Sequence, residues 1–157
     1  MLFKKKFSVK SPVIGTVMDQ TQLPDPCFAN SLLGETRALT PEDNVICSPI
    51  NGKLTMIADT SHAFGVADEN GAEFLVHIGI DTVNLKGECF KVLAEAGATV
   101  KQGQPIIEFD REAAAEKGFN TSVILVLLSS DAYGFQGKGK ATKVTTSDEI
   151  ETYAPKK

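Results

Sequence analysis

Apolar residues along the chain alternate with polar ones, or run together, over short stretches that Pro, Gly, Asn and Asp interrupt before a helical period can develop. "FSVKSPVIGTVMDQ", "NVICSPINGKLTMIAD", "AFGVADENGAEFLVHIGI", "QPIIEFD" and "TSVILVLLSS" are such stretches. Strands that bury one face and turn often predict an all-β domain, an antiparallel β-sandwich or barrel-like structure. Helix is confined to two short candidates, "FANSLLGE" around 28–35 and "DREAAAEKG" at 110–118, the latter closed by Gly118. "SPVIGTV" at 11–17 returns as "SPINGKL" at 48–54. Ser-Pro, two residues, a glycine and then a strand, used twice, point to an internal duplication.

"VADENGAEF" sets Asn70-Gly71 between two alternating runs, which predicts a hairpin with a type I′ turn, positive φ being required at both central residues. That turn would set Phe64 opposite His77, with His62 just before the first strand and His77 on the second. These are the two histidines of the chain. A single histidine in an apolar strand is ordinarily a satisfied core residue, whereas two that converge on one face invite a chemical reading.

Composition narrows the classes. A chain of 157 residues, 42% hydrophobic and with a formal net charge of −4, fits one globular domain spanning 1–157 and disfavours a nucleic-acid partner. Residues 1–8 and about 145–157 are expected as terminal extensions. The segment from about 131, rich in Gly, Lys, Ser and Thr, is expected to end as a solvated tail, with a strand in "KATKVTT". "MLFKKKF" is basic, but no apolar run of signal-peptide length follows it. No stretch of about 18 apolar residues occurs anywhere. The expectation is a cytoplasmic protein without direct membrane insertion, monomeric; the start at Met1 suggests a free-standing protein, and an excised domain of a larger one would look similar. Cys27, Cys47 and Cys89 are widely spaced and form no C-x-x-C pair, so neither a disulfide framework nor a zinc knuckle is indicated.

Two histidines limit the available chemistry. A catalytic zinc takes about three protein ligands, and neither H-E-x-x-H nor H-x-H is present. A nucleophile elbow of the G-x-S-x-G type is missing as well. Neutral imidazole, however, is itself a nucleophile near pH 7, because its pKa of about 6.5 leaves one ring nitrogen with a free lone pair. One histidine attacking phosphorus while the other donates a hydrogen bond to the phosphoryl oxygens uses both.

At these residues the chain strongly resembles the glucose-type enzyme IIA family of the bacterial phosphoenolpyruvate-dependent sugar phosphotransferase system. "SPVIGTV", "PDPCFANSLLG", "CSPINGKL", "TSHAFGV", "GAEFLVHIGIDTVNLKGECF" and "GATVKQGQPIIEFD" carry the resemblance, in the family's order, from about residue 9 to 128. The resemblance implies an antiparallel β-sandwich that carries a phosphoryl group on Nε2 of His77, taken from the phosphocarrier protein HPr and passed to a cysteine of a IIB domain. It implies that His62 contacts the phosphoryl group and that Thr60 hydrogen-bonds and orients it. Asp81 and Asp25 match acidic residues bordering the site. Phe28, Leu32, Leu33, Leu75 and Val83 match an apolar docking ring. No metal or cofactor is implied, and the sugar is chosen by a IIC membrane domain that this chain lacks. The sequence departs from the family where "GECF" has Cys89 in place of the usual glycine, where "NTSVILVLLSS" lacks a common proline, and beyond residue 131.

Two other readings compete. "GATVKQGQPIIEFD" looks like the strand pair of biotinyl and lipoyl carrier domains, but the lysine context of a swinging arm does not occur between the halves. A regulatory module is the second: phosphorylation of an apolar-rimmed surface would displace target proteins that bury it.

Overall fold

The computed structural model describes residues 6–137 and 142–156. Its elements run β1 (Phe7–Lys10), β2 (Gly15–Met18), α1 (Pro26–Ala29), β3 (Glu35–Pro41), β4 (Val45–Cys47), β5 (Gly52–Ile57), β6 (Ala63–Ala67) and β7 (Glu73–Ile78). There follow β8 (Phe90–Val92), β9 (Thr99–Val100), β10 (Pro105–Phe109), α2 (Arg111–Glu116), β11 (Val123–Leu127), β12 (Tyr133–Phe135), β13 (Lys143–Val144) and β14 (Glu149–Pro155). Single 3-10 turns occupy Gln20–Gln22 and Thr82–Leu85. An eight-stranded sheet, in the order β13-β2-β3-β11-β7-β6-β5-β9, is joined by two three-stranded sheets, β1-β14-β12 and β4-β10-β8. Among the described residues the large sheet ends at β13 and β9 without closing, so the antiparallel sandwich expected from the sequence forms with no closed barrel.

Alternation assigns the two faces of the large sheet. Phe74, Val76 and Ile78 of β7, with Val123, Leu125 and Leu127 of β11, face the main core shared with the small sheets. Their neighbours Ile124 and Val126, with Ala38 of β3, face the other way, where Leu23 and Phe28 from the 19–30 segment cover them as a second cluster. Each such buried side chain contributes roughly 1.5–3 kcal/mol. His77 alternates with Val76 and Ile78 and therefore stands on this second face. Here the covering segment meets the sheet.

The duplication is visible in the hydrogen bonds. Buried Ser11 and Ser48 each donate their hydroxyl to the carbonyl two residues on, Val13 at 2.6 Å and Ile50 at 2.8 Å. The motifs also clasp one another, Lys10 N–H donating to the Pro49 carbonyl and Cys47 N–H to that of Pro12. β2 takes β13 with Gly15 opposite Val144, and β5 takes β9 with Gly52 opposite Val100. β1 on β14 repeats β4 on β10, even to a register irregularity at the corresponding place. The two halves meet where β7 and β11 pair, Val76 facing Leu125. A Cβ on Gly15 would sit 2.1 Å from the Thr40 carbonyl oxygen, and one on Gly52 at 2.1 Å from that of Ala67. Gly15→Ala and Gly52→Ala are each expected to cost about 1–3 kcal/mol by overpacking, read as matched losses in urea-unfolding midpoints.

Three expectations need correction. The hairpin forms between β6 and β7, but over a five-residue loop, 68–72, with Gly71 alone of its central pair at positive φ. Asp68 organises the loop by accepting the N–H groups of Asn70 and Ala72 at 2.9 Å each. The odd loop moves the register by one, so His77 faces Ala63 and not Phe64. The first helix is α1, two residues earlier than expected, because Asp25 caps it by accepting Cys27 N–H and Pro26 suits its first turn. Residues 30–34 are turn. The solvated tail is instead β14, lying between β1 and β12 with Tyr153 and Ala154 buried. Strand β13 falls within "KATKVTT", whose first two residues, like residues 1–5 and 157 of the expected extensions, lie outside the described residues.

Candidate active site

His77 and His62 reach each other from different segments. After β5 the chain reverses through Ala58–Ala63, closed by hydrogen bonds from Ala58 N–H to Ala63 and from Ser61 N–H to Ala58, with Ser61 at φ 62°. This turn delivers His62 to the edge of β7, where Ile78 N–H donates to the His62 carbonyl at 2.8 Å. The imidazole centroids lie 5.0 Å apart, with ring planes at 79°. Phe28 of α1 packs against the other side of His77 at 4.9 Å.

Hydrogen bonds decide which ring nitrogens are free. His77 Nδ1 lies 2.8 Å from the Gly79 carbonyl oxygen, which can only accept, so Nδ1 carries the proton. In the neutral ring Nε2 then holds the lone pair. Thr60 Oγ1 lies 2.7 Å from His62 Nδ1. With the hydroxyl donating to Nδ1, His62 presents an Nε2–H donor, the complement of the neighbouring lone pair.

Both rings are held neutral. Burial lowers the His77 pKa from its ordinary value of 6.5, and His62 lowers it further, against the opposing effects of the Gly79 carbonyl, Asp25 and Asp81. Burial alone lowers that of His62. The native protein therefore binds fewer protons than the unfolded chain just below pH 6.5, and this contribution to stability is lost as pH falls through the depressed pKa values. Side-chain NMR is expected to find His77 titrating below 6.5, with thermal stability declining over the same interval. A midpoint above 6.5 would contradict this account.

The structure brings His77, His62, Thr60 and Phe28 together and sets Asp25 and Asp81 near enough to act electrostatically on His77. Asp25 is occupied as the α1 cap. Asp81 is exposed, at φ 59°, and makes no capping hydrogen bond. The docking ring divides: Leu32, Leu33 and Val83 are 69%, 45% and 47% exposed, Leu75 is half-buried on the His77 face, and Phe28 is only 6% exposed. Phe28 is thus core to the second cluster and a wall for His77, because its ring fills the angle between α1 and the sheet. Sequence reasoning missed Gly79 and Thr82, whose only signal was their closeness to His77 in "HIGIDT". A cavity of about 260 Å³ lined by Val17, Val144, Ile150 and Glu151 among others includes neither histidine. Among the described residues no group of three or more His, Cys, Asp or Glu could hold a metal ion.

A family model described as the phosphoenolpyruvate-dependent sugar phosphotransferase system, EIIA 1, matches residues 7–133. The chain belongs to this family. A glucose-specific EIIA component from Bacillus cereus is 35% identical over 140 residues, 83% of this chain and 85% of that protein. An N-acetylglucosamine-specific EIICBA component from Klebsiella pneumoniae is 40% identical over 126 residues, 80% of this chain and 19% of the longer one. Glucose permease IIA from Mycoplasma capricolum matches at a TM-score of 0.82 and 29% identity, covering 97% of this chain and 99% of that one. The sandwich described above is therefore the EIIA fold, and the chain is an EIIA component of a phosphoryl-transfer system for sugar transport. Among the described residues no helix is long and apolar enough to cross a membrane.

Proposed function

We propose that this EIIA component carries a phosphoryl group on Nε2 of His77, accepting it from phospho-HPr and passing it to the cysteine of a IIB domain. The observation that carries the reading is the tautomer: Nδ1–H is committed to the Gly79 carbonyl, which leaves the Nε2 lone pair beside His62. In acceptance that lone pair forms the N–P bond while the bond from phosphorus to the donor breaks, its electron pair leaving with the donor. In donation a thiolate attacks phosphorus and the N–P pair returns to Nε2. The transition state is loose, so alignment and stabilisation of the equatorial oxygens are what the protein supplies. His62, held by Thr60, provides one donor.

The EIICBA name of the Klebsiella relative supports a IIB partner, since that name joins the A, B and C parts in one component. Exposed Leu32, Leu33 and Val83 supply apolar contact area for successive partners. They also favour a regulatory role, in which a dianion placed beside them displaces target proteins. The reading places a monomer in the cytoplasm.

The test is intact mass after incubation with phosphoenolpyruvate, enzyme I and HPr. Gain of one acid-labile phosphoryl group is expected; no gain with donors shown to be active would overturn the carrier reading. His62→Gln is expected to retain uptake but to slow donation to a IIB domain on the order of 10²-fold, the scale of losing one donor to a transition-state oxygen. Unchanged donation would remove His62 from that role.

A further inference from the structure

The Gly79 carbonyl can define the His77 tautomer only if its own peptide is held in place. Two consecutive peptide planes are involved. In the first, between residues 78 and 79, Gly79 N–H donates to the Ser122 carbonyl at 2.8 Å and the Ile78 carbonyl accepts the hydroxyl of Thr82 at 2.5 Å. In the second, Ile80 N–H donates to the Asn120 carbonyl at 3.0 Å and the Gly79 carbonyl accepts from His77. Thr82 is fully buried, and a Cβ added to Gly79 would lie 2.4 Å from its methyl carbon. Gly79 has φ +78°, open to glycine at little cost, so the angle between the two planes would relax if either lost its anchors.

We propose that Thr82 is a positioning residue for phosphoryl transfer: its hydroxyl anchors the Ile78 carbonyl, fixing the Gly79 carbonyl that keeps the proton on His77 Nδ1. The proposal deepens the carrier reading and rests on it for its functional consequence, though not for its structural one. Thr82 touches neither the phosphoryl group nor a partner in this scheme. It acts through two hydrogen bonds and the backbone between them on which nitrogen is nucleophilic. A threonine serving only to stabilise the 3-10 turn at Thr82–Leu85 would leave the tautomer unaffected.

The experiment compares Thr82→Ser with Thr82→Ala in the full chain, the pair differing only by the hydroxyl. Long-range proton–nitrogen NMR of the resting protein, at a pH where His77 is neutral, reads its tautomer. Native protein and Thr82→Ser are expected to keep the proton on Nδ1. Thr82→Ala is expected to give averaged nitrogen shifts and phosphoryl uptake from phospho-HPr about 3- to 10-fold slower, the worth of one modest hydrogen bond. A native tautomer in Thr82→Ala overturns the proposal, as does a mixed one in Thr82→Ser. Should Thr82→Ala not fold, Thr82→Val, which keeps the methyl position, is read against the same two outcomes. Failure of the carrier reading looks different, since native protein would take no phosphoryl group while the tautomers still separated the variants.

Discussion

His77→Ala is expected to take up no phosphoryl group from phospho-HPr while remaining folded. The loss is absolute in kind, because the nucleophile itself is removed and His62 is poorly placed to substitute. The arrangement that lets Thr60 donate to His62 Nδ1 leaves His62 with a proton on Nε2, so its lone pair is already engaged. The structural cost is small. His77 is half-buried, its ring resting on Phe28 and His62, while the main core lies on the opposite face of β7. Loss of those contacts should cost about 1–2 kcal/mol. For a chain of this size that lowers the melting midpoint by about 2–8 °C, which circular dichroism would resolve. Acid-labile phosphate on the folded variant would assign the acceptor to another residue and break the tautomer argument at its first step.

What sequence reasoning reached, and what it did not, follows from the range of the interactions involved. The repeated Ser-Pro motif was legible because both copies do the same local job, the hydroxyl of Ser11 or Ser48 closing a turn two residues on. Convergence of the histidines was legible despite a wrong register. His62 lies beyond β6 and is brought in by the Thr60–Ser61 turn, so a shift of one in the ladder did not separate the rings. The turn itself was misread because Asn-Gly is a local signal, and here Asp68 captures the backbone of both Asn70 and Ala72 to make a longer loop.

Phe28 marks another limit. The resemblance implies a place for it in a docking ring, but its burial depends on Ile80 and Ile124 arriving from two distant segments, with Leu23 from its own. "VILVL" gave no alternation for a related reason: with both faces of β11 covered, every residue is apolar and the two faces cannot be told apart. Duplication of the scaffold also did not duplicate the chemistry. Across the β7–β11 pairing, the place corresponding to His77 on β7 is Val126 on β11, and Val126 is buried within the second cluster.

The reading of β14 as tail failed at one residue, and that residue carries the second large effect. Glu151 breaks the apolar alternation of "EIETYAP", yet it is only 4% exposed. Arg37 on β3 donates to its Oε2 through Nε at 3.2 Å and Nη2 at 3.0 Å, and the N–H groups of Gly137 and Thr152 donate to Oε1. The Arg37 guanidinium also stacks over Phe135 at 4.7 Å. The pair thus pins the large sheet to the small sheet β1-β14-β12. Glu151→Ala leaves Arg37 charged, mostly buried and without its carboxylate, and strands two backbone donors. Such a break is expected to cost about 3–5 kcal/mol, against a total of about 5–15 kcal/mol for a typical domain. The melting midpoint should fall by roughly 6–20 °C. Replacing both partners, Arg37→Met with Glu151→Leu, should recover much of the loss, since no charge is then left buried. Phosphoryl uptake measured well below the midpoint should stay close to native, because His77 and its supports lie on the other face of the large sheet. A Glu151→Ala protein that melts at the native temperature would mean that water and the carbonyls of Thr36 and Gly137 satisfy Arg37 without the carboxylate, and that β14 is held by Tyr153 and Ala154 alone.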